Sequence, residues 1–416
     1  LFLTIPDASA TSGAKKSQLP FLVPAIIAAV YFLVHMATAT RYGYFRDALY
    51  YLACSEHLAW GYVDQPPPIV FIAWLARHTL GVSLPALLFW PALAGAARII
   101  LTAGFARELG AKKCGAALAA ALAATPTVWY VIDHQFAMNA LKPLFWTGCA
   151  FAVARLIRMN NPEWWLAFCT IAGSGLKNKY SIAAFAFFLL LGLLLTPQRR
   201  LLFSPWILAG GFAALLLFLP NLLWNIQHHW PFLELMRNIR ASGRDVVLSP
   251  SAFLAEQILI MSPVTLPFWL GGLWFYFSDA GKKFRVFGWT FIFTIRFFLL
   301  AHGKNYYSAP VYPLVLAAGA VAAEKFLSKN VLKNCPVYGP HLKWRYLAGS
   351  LSGYCFCCRS CFLFYPSKRI CAIRRICHSL FQNPSIIRTR QPCRSITPMS
   401  LAGKIWSPML PPFITR

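Results

Sequence analysis

The run LPALLFWPALAGAARIILTAGFAR (Leu84–Arg107) decides what kind of molecule this is. About 20 apolar residues in a helix rising ~1.5 Å each cross the hydrocarbon core of a bilayer, and this run is long enough by itself. Working outward, comparable stretches recur near 20–40, 114–131, 138–157, 162–176, 180–196, 202–223, 253–277, 285–301 and 308–326, ten with the first. Composition agrees. The 416 residues are 58% hydrophobic, 16% aromatic and 12% charged, which leaves too little polar surface for a water-soluble domain of this size. An all-α integral membrane protein is the expected class.

The formal charge of +27 would suit a nucleic-acid binder, but its distribution argues otherwise. All twelve acidic residues lie at or before Glu324, while the last 92 residues carry fifteen Lys/Arg and no acid, leaving +12 up to Glu324. No nucleic-acid partner is expected, since loop lysines and arginines set the orientation of a multispan chain. With Lys15 and Lys16 in the cytoplasm, alternation puts Arg107/Lys112/Lys113, Arg155/Arg158, Arg199/Arg200, Lys282/Lys283 and Lys325/Lys329 inside as well. The first span serves as its own insertion signal without a cleavable peptide, and Leu1 in place of Met points to an incomplete record.

The same count sends five unusual segments to the outer face: 41–83, VIDHQFAMNALKP (131–143), LKNKYS (176–181), NIQHHWPFLELMRNIRASGRDVV (225–247) and HGKNYYSAPVYP (302–313). All are polar, aromatic and rich in Pro or Gly, as expected of a site at the membrane–water boundary. Within the first, PIVFIAWLARHTLGVS is too short to span and reads as a helix lying at the interface.

Asp47 and Asp64 share that first loop with Tyr44, Tyr50, Tyr51, Trp60 and Tyr62. A carboxylate near lipid is costly unless it faces a polar cavity, where its pKa rises and it can act as a base. The competing reading is a pair of solvated acids in an interfacial aromatic belt. Lys304, Tyr306 and Tyr307 suit a phosphate grip, or equally a snorkelling lysine beside belt tyrosines. Arg237, Arg240 and Arg244 share a loop with His228 and His229 and suit an anionic head group or a solvated basic helix. Arg296, inside an apolar run, must face the bundle or snorkel. Adjacent histidines point in different directions on a helix, so no protein-built metal site is expected. Of twelve cysteines, eight follow residue 334, in a spacing that fits neither paired zinc ligands nor an orderly secreted module.

Six stretches in order, YGYFRDALYYLACSEHLAWGYVDQPPP, FAMNALKPLFW, GSGLKNKYS, LLTPQRRLLFSPW, FLPNLLWNIQHHWPFLELMRNIRASG and GKNYYSAPVYPLVLAAGAVAAE, resemble bacterial membrane glycosyltransferases of family 39. That group includes protein O-mannosyltransferases and lipid A aminoarabinose transferases. The resemblance covers roughly residues 20–326. It implies a GT-C multispan helical bundle of about ten transmembrane helices, with juxtamembrane helices on an outer catalytic loop. It implies transfer of a sugar from a polyprenyl-phosphate donor to a lipid, glycan or protein acceptor, with inversion, at the periplasmic face of a bacterial inner membrane. Asp47 matches the first acid of the family's outer loop and Asp64 the acid before its prolines. The resemblance makes Asp47 the base and Asp64 its support. Lys304, Tyr306, Tyr307 and Lys179 hold the donor phosphate, and Tyr50, Tyr51, His229, Arg237 and Arg240 meet the acceptor or head group. No built-in cofactor is implied, and a divalent ion assisting the donor phosphate stays open.

Several positions depart from the pattern. Ala48 stands where a second acid is usual, Gln65 where His or Lys is, and Lys142 and Lys177 where Glu is common. An inactive homologue is therefore a competing reading. A transporter is another, although the expected internal repeats are not found. The domain expectation is a cytoplasmic segment 1–19, a transferase domain 20–330, and a basic, Cys-rich tail 331–416, frame-shifted or disordered.

Overall fold

The computed structural model describes residues 21–242 and 248–334. Segment 1–19 and the tail beyond Asn334 lie outside the described residues. The helices are α1 (Leu22–Thr38), α2 (Arg46–Cys54), α3 (Pro68–Thr79), α4 (Leu84–Glu108), α5 (Lys113–Ala124), α6 (Thr127–Ile132), α7 (Met138–Met159), α8 (Trp164–Asn178), α9 (Ile182–Leu194), α10 (Pro205–Gln227), α11 (Pro231–Ala241), α12 (Pro250–Ile260), α13 (Leu266–Phe277), α14 (Arg285–Leu300) and α15 (Tyr312–Asn334). No strand occurs among the described residues.

Each apolar run read from the sequence holds a helix or a broken pair of helices, but most of these are shorter than the ten full spans expected. Four helical stretches, Leu84–Glu108, Met138–Met159, Pro205–Gln227 and Asn305–Ser328, are long and apolar enough to cross a bilayer, or six if two bent pairs are counted. One of those pairs is α12 and the Pro263–Phe277 stretch, which turn 90° at Ser262, so 253–277 is not a straight span. Ser262 sits in the left-handed region at φ 65°, unusual for a residue with a Cβ. The run 114–131 breaks between α5 and α6 at Thr125–Pro126, because proline removes a donor and disfavours helix for the residue before it.

Local chemistry sets several starts. Ser83, Ser204 and Ser249 cap α4, α10 and α12, each accepting from a backbone N–H of the first turn, with a proline in that turn. The bundle closes on α15, whose residues Leu314 to Ala318, Ala320 and Val321 are fully buried. It meets α13 backbone to backbone: a Cβ on Gly272 would strike the Val315 carbonyl, and one on Gly319 the Phe268 carbonyl. Small residues permit that approach, the usual basis of helix association in lipid.

Two sets of polar contacts mark the ends. At one end, Glu108 pairs with Arg155 at 3.2 Å and Arg158 at 3.3 Å, and the Glu324 carboxylate accepts from the backbone N–H of Lys112 and Gly115 at 2.6 and 2.7 Å. These join three of the basic connections assigned inside, and a carboxylate at the N-terminus of α5 is the favourable placement. Between α1, α4 and α6 lies a buried network. Arg98 donates to Asp133 at 3.0 Å and to the Ala123 carbonyl at 2.6 Å, and Tyr31 donates to the same Asp133 oxygen at 2.7 Å. Arg98 also lies 4.2 Å over the Trp129 ring. Arg296 is exposed on α14, away from the buried Thr290, Thr294 and Phe298, so the bundle-facing option gives way to the snorkelling one.

Candidate active site

The outer loop folds into two short helices that hold the acids. Asp47 falls in the first turn of α2, where a carboxylate complements the unpaired N–H groups. Pro66 to Pro68 lead directly into α3, whose N-terminal proline needs no donor there. The Tyr44 hydroxyl donates to the Val82 carbonyl at 2.8 Å and closes the base of the loop. One helical turn after Asp47, the Tyr50 hydroxyl donates to Asp64 at 3.0 Å and ties the two helical ends of the loop together.

Burial pushes the Asp47 carboxyl above its ordinary range, while Arg46, 3.2 Å away, and then Lys179 and Lys304 pull it back. Burial raises Asp64 too, opposed by the Tyr50 hydrogen bond and reinforced by the charge of Asp47. The charge of Asp47 thus reaches Asp64, and both tyrosines between them, Tyr50 and Tyr51, are held protonated by burial and by these carboxylates.

The lysines arrive from other segments. Lys179, just beyond α8, donates to Asn139 at 2.7 Å and lies 5.0 Å from the centre of the Tyr307 ring. Burial first, and Lys304 second, lower its pKa to about 8, with Asp47 opposing. Tyr306 and Tyr307 form a tight turn beside Lys304 with their rings edge to face at 4.9 Å. Lys142 is buried; it donates to the Tyr307 carbonyl at 2.8 Å and faces the rings of Trp146, Phe298 and Tyr307.

All five outer segments are joined here, 225–247 through Asn225, which donates to the Tyr180 hydroxyl at 3.3 Å. Asn221 donates to the Trp60 carbonyl at 2.7 Å and accepts from Tyr180 at 3.1 Å, which seats the end of α10 against the first loop. Asp47, Asp64, Tyr50, Tyr51, Lys179, Lys304, Tyr306 and Tyr307 thus belong to one neighbourhood. His229 and Arg237 are exposed on the approach to and along α11, with no described contact to the acids, and Arg240 lies on the same helix.

Several residues at the site were not singled out in the sequence. Asn139 holds Lys179 and stood inside the quoted FAMNALKPLFW motif, which was its signal. Gln257 receives the hydroxyls of Ser308 and Tyr312 and donates to the Asn305 carbonyl, while Asn305 donates to Glu256 at 2.6 Å. That network clamps the turn bearing Lys304 onto α12, and nothing local in QILI or AEQ announced it. Ala48 is buried among Tyr51, Ile69, Val70, Leu87 and Phe136, so an acid at this position would sit in an apolar cluster. Among the described residues no three His, Cys, Asp or Glu side chains are arranged to hold a metal.

Residues 64–224 match the family model for dolichyl-phosphate-mannose-protein mannosyltransferases. The fold is similar to that of ArnT from Cupriavidus metallidurans, solved in the apo state and with undecaprenyl phosphate: TM-scores 0.61 and 0.59, 16% identity, 85% of this chain, and 67% and 68% of those chains. The chain shares the multispan helical fold of these structures. A second similar structure is the apo oligosaccharyltransferase of Archaeoglobus fulgidus, at TM-score 0.52 and 13% identity over 77% of this chain and 52% of that one. No curated protein sequence matches. The multispan helical class read from the sequence is the observed one.

Proposed function

We propose that this chain transfers a sugar from a polyprenyl-phosphate donor to a hydroxyl of a cell-envelope acceptor, at the outer face of a bacterial inner membrane. The observation that carries the reading is the meeting of two half-buried carboxylates, Asp47 and Asp64, with Lys179 and Lys304 at one patch. Asp47 takes the proton of the acceptor hydroxyl as its oxygen attacks the anomeric carbon. Asp64, steadied by Tyr50, orients the acceptor and supports the base. Lys179 and Lys304, with Tyr306 and Tyr307, meet the negative charge that grows on the departing phosphate. A single displacement inverts the anomeric centre. Tyr50 and Tyr51 line the acceptor side, while His229, Arg237 and Arg240 serve lipid head groups at the rim.

The donor set suits a resident metal ion poorly: two carboxylates stand among lysines whose charges already reach Asp47. The mechanism routes no step through one. The related Archaeoglobus fulgidus oligosaccharyltransferase was solved with Zn and sulfate, and a chelator control belongs in the assay. A second reading, a homologue that has lost its chemistry, draws on Ala48, which places a methyl group in an apolar cluster at the position of the family's second acid.

The experiment is turnover of radiolabelled polyprenyl-phosphate sugars by the purified protein in lipid. Donor loss in the parent but not in Asp47→Asn supports the transferase reading; equal turnover in both removes Asp47 as the base. Silence in the parent over a full donor panel favours the inactive homologue.

A further inference from the structure

The turn that carries Asp64 is held from outside its own loop. Within the turn, the Tyr62 hydroxyl accepts from the Ala59 N–H at 3.0 Å and donates to the His57 carbonyl at 2.9 Å, and the Tyr62 N–H donates to the Gln65 carbonyl at 3.1 Å. Residues 57–65 are therefore stapled into one piece. That piece meets α10 at two points. The Asn221 carboxamide donates to the Trp60 carbonyl at 2.7 Å, and Gly61 lies so close to the Trp224 ring that a Cβ there would strike it. Asn221 is fully buried, and its oxygen accepts from the Tyr180 hydroxyl at 3.1 Å, which fixes the amide with its N–H toward Trp60. Helix α10 is in turn locked to α8: a Cβ on Gly173 would strike the Ala214 backbone, and one on Gly210 the Cys169 side chain and the Trp165 carbonyl. Small residues bring the two helices together closely enough that they have little room to slide.

We propose that Asn221 is a positioning residue for Asp64: it pins the 57–65 turn to the α8–α10 pair and so sets where the Asp64 carboxyl meets the Tyr50 hydroxyl. The inference rests on the transfer reading above, in which Asp64 orients the acceptor. Tyr50 comes from α2 and Asp64 from the turn, and their 3.0 Å bond lasts only while the two pieces keep their spacing. A few tenths of an ångström beyond that distance weaken a hydrogen bond sharply. Among the described residues Asn221 makes no hydrogen bond to either acid, so it acts through the backbone of the turn. The residue that aims Asp64 thus lies 157 positions further along the chain, on a spanning helix.

The test joins amide hydrogen exchange to rate profiles, both on the full chain in lipid nanodiscs. Asn221→Leu removes the donor to Trp60. Gly61→Ala pushes the turn off Trp224 without altering Asn221, and it is read in the same way if Asn221→Leu does not fold. In either variant the amides of 57–65 should exchange about fivefold faster, the factor that goes with one net hydrogen bond, while those of α4 and α7 keep the parent's rates. The acid limb of polyprenyl-phosphate-sugar turnover should move up by about one pH unit, the shift that goes with a lost hydrogen bond to a carboxylate. Tyr50→Phe should move it in the same direction, and combining it with Asn221→Leu should move it no further, because both changes act through one bond. A folded variant that is slower at every pH with an unmoved limb overturns the inference, as does a double variant in which the two shifts add; either result leaves the transfer reading standing. A parent that turns over no donor removes the transfer reading, and the seating of the turn is then decided by exchange, where parental rates at 57–65 in Asn221→Leu overturn it.

Discussion

Lys179 offers a direct test of the site through pH. Its ammonium is buried beside Lys304, and its pKa of about 8 means that it gives up its proton within the working range of an enzyme. If only the charged form stabilises the leaving phosphate, about nine-tenths of the sites are competent at pH 7 and just under one-tenth at pH 9, so the transfer rate should fall roughly tenfold between them. Lys179→Arg places a guanidinium that stays protonated throughout, and its profile should be flat over that interval. Lys304→Gln removes the like charge that lowers Lys179, so its alkaline limb should move upward even though the maximal rate falls. The assay is initial-rate donor turnover in nanodiscs from pH 5.5 to 9.5, with melting curves at each pH. A parent profile flat to pH 9.5 would refute the reasoning, as would an unshifted limb in Lys304→Gln; the latter result decides the matter if Lys179→Arg proves inactive.

Other expectations follow from single contacts. Tyr50→Phe removes the hydroxyl that holds Asp64 down, so the acid limb of the rate profile should move to higher pH, and activity at pH 6 should suffer more than at 7.5. Asp133→Asn leaves Arg98 buried without its carboxylate and should cost about 3 kcal/mol or more, read as a lower melting temperature in lipid, with Tyr31→Phe costing about 1–2 kcal/mol. Gly319→Val should prevent α15 from meeting α13, seen as loss of monodisperse protein after detergent extraction. Ala48→Glu puts a carboxyl into an apolar cluster, where its folded pKa is raised; the protein should be closest to the parent in stability below pH 4 and fall behind as pH rises through that pKa, checked by melting curves at pH 5 and pH 8.

The loop chemistry was legible because it is local: acids, tyrosines and consecutive prolines within one short stretch, bounded by apolar runs. The helix positions were legible for the same reason, since each run carries its own hydropathy. What escaped depends on partners far apart in the chain. Tyr31 and Asp133 are 102 positions apart and Gln257 and Asn305 are 48 apart, so neither pairing leaves a pattern in any window. The right-angle turn at Ser262 escaped because it depends on one left-handed backbone position, not on a loss of hydropathy. Lys142 was visible as a departure from a family pattern, but its seat among three rings came from the packing of α7 against α14 and the Tyr307 turn.

The carboxylate of Glu324 at the start of α5 has a bearing on synthesis. It reaches back 209 positions to Gly115, and the helix that carries it supplies the fully buried centre of the bundle. During translation, α1 to α14 must therefore enter the bilayer around a gap that α15 fills. Until residue 324 leaves the ribosome, the first amides of α5 lack their acceptor and the small-residue face of α13 has no backbone to meet. Assembly of this protein is thus gated by α15, and chains released before it should be the ones a membrane quality-control protease removes.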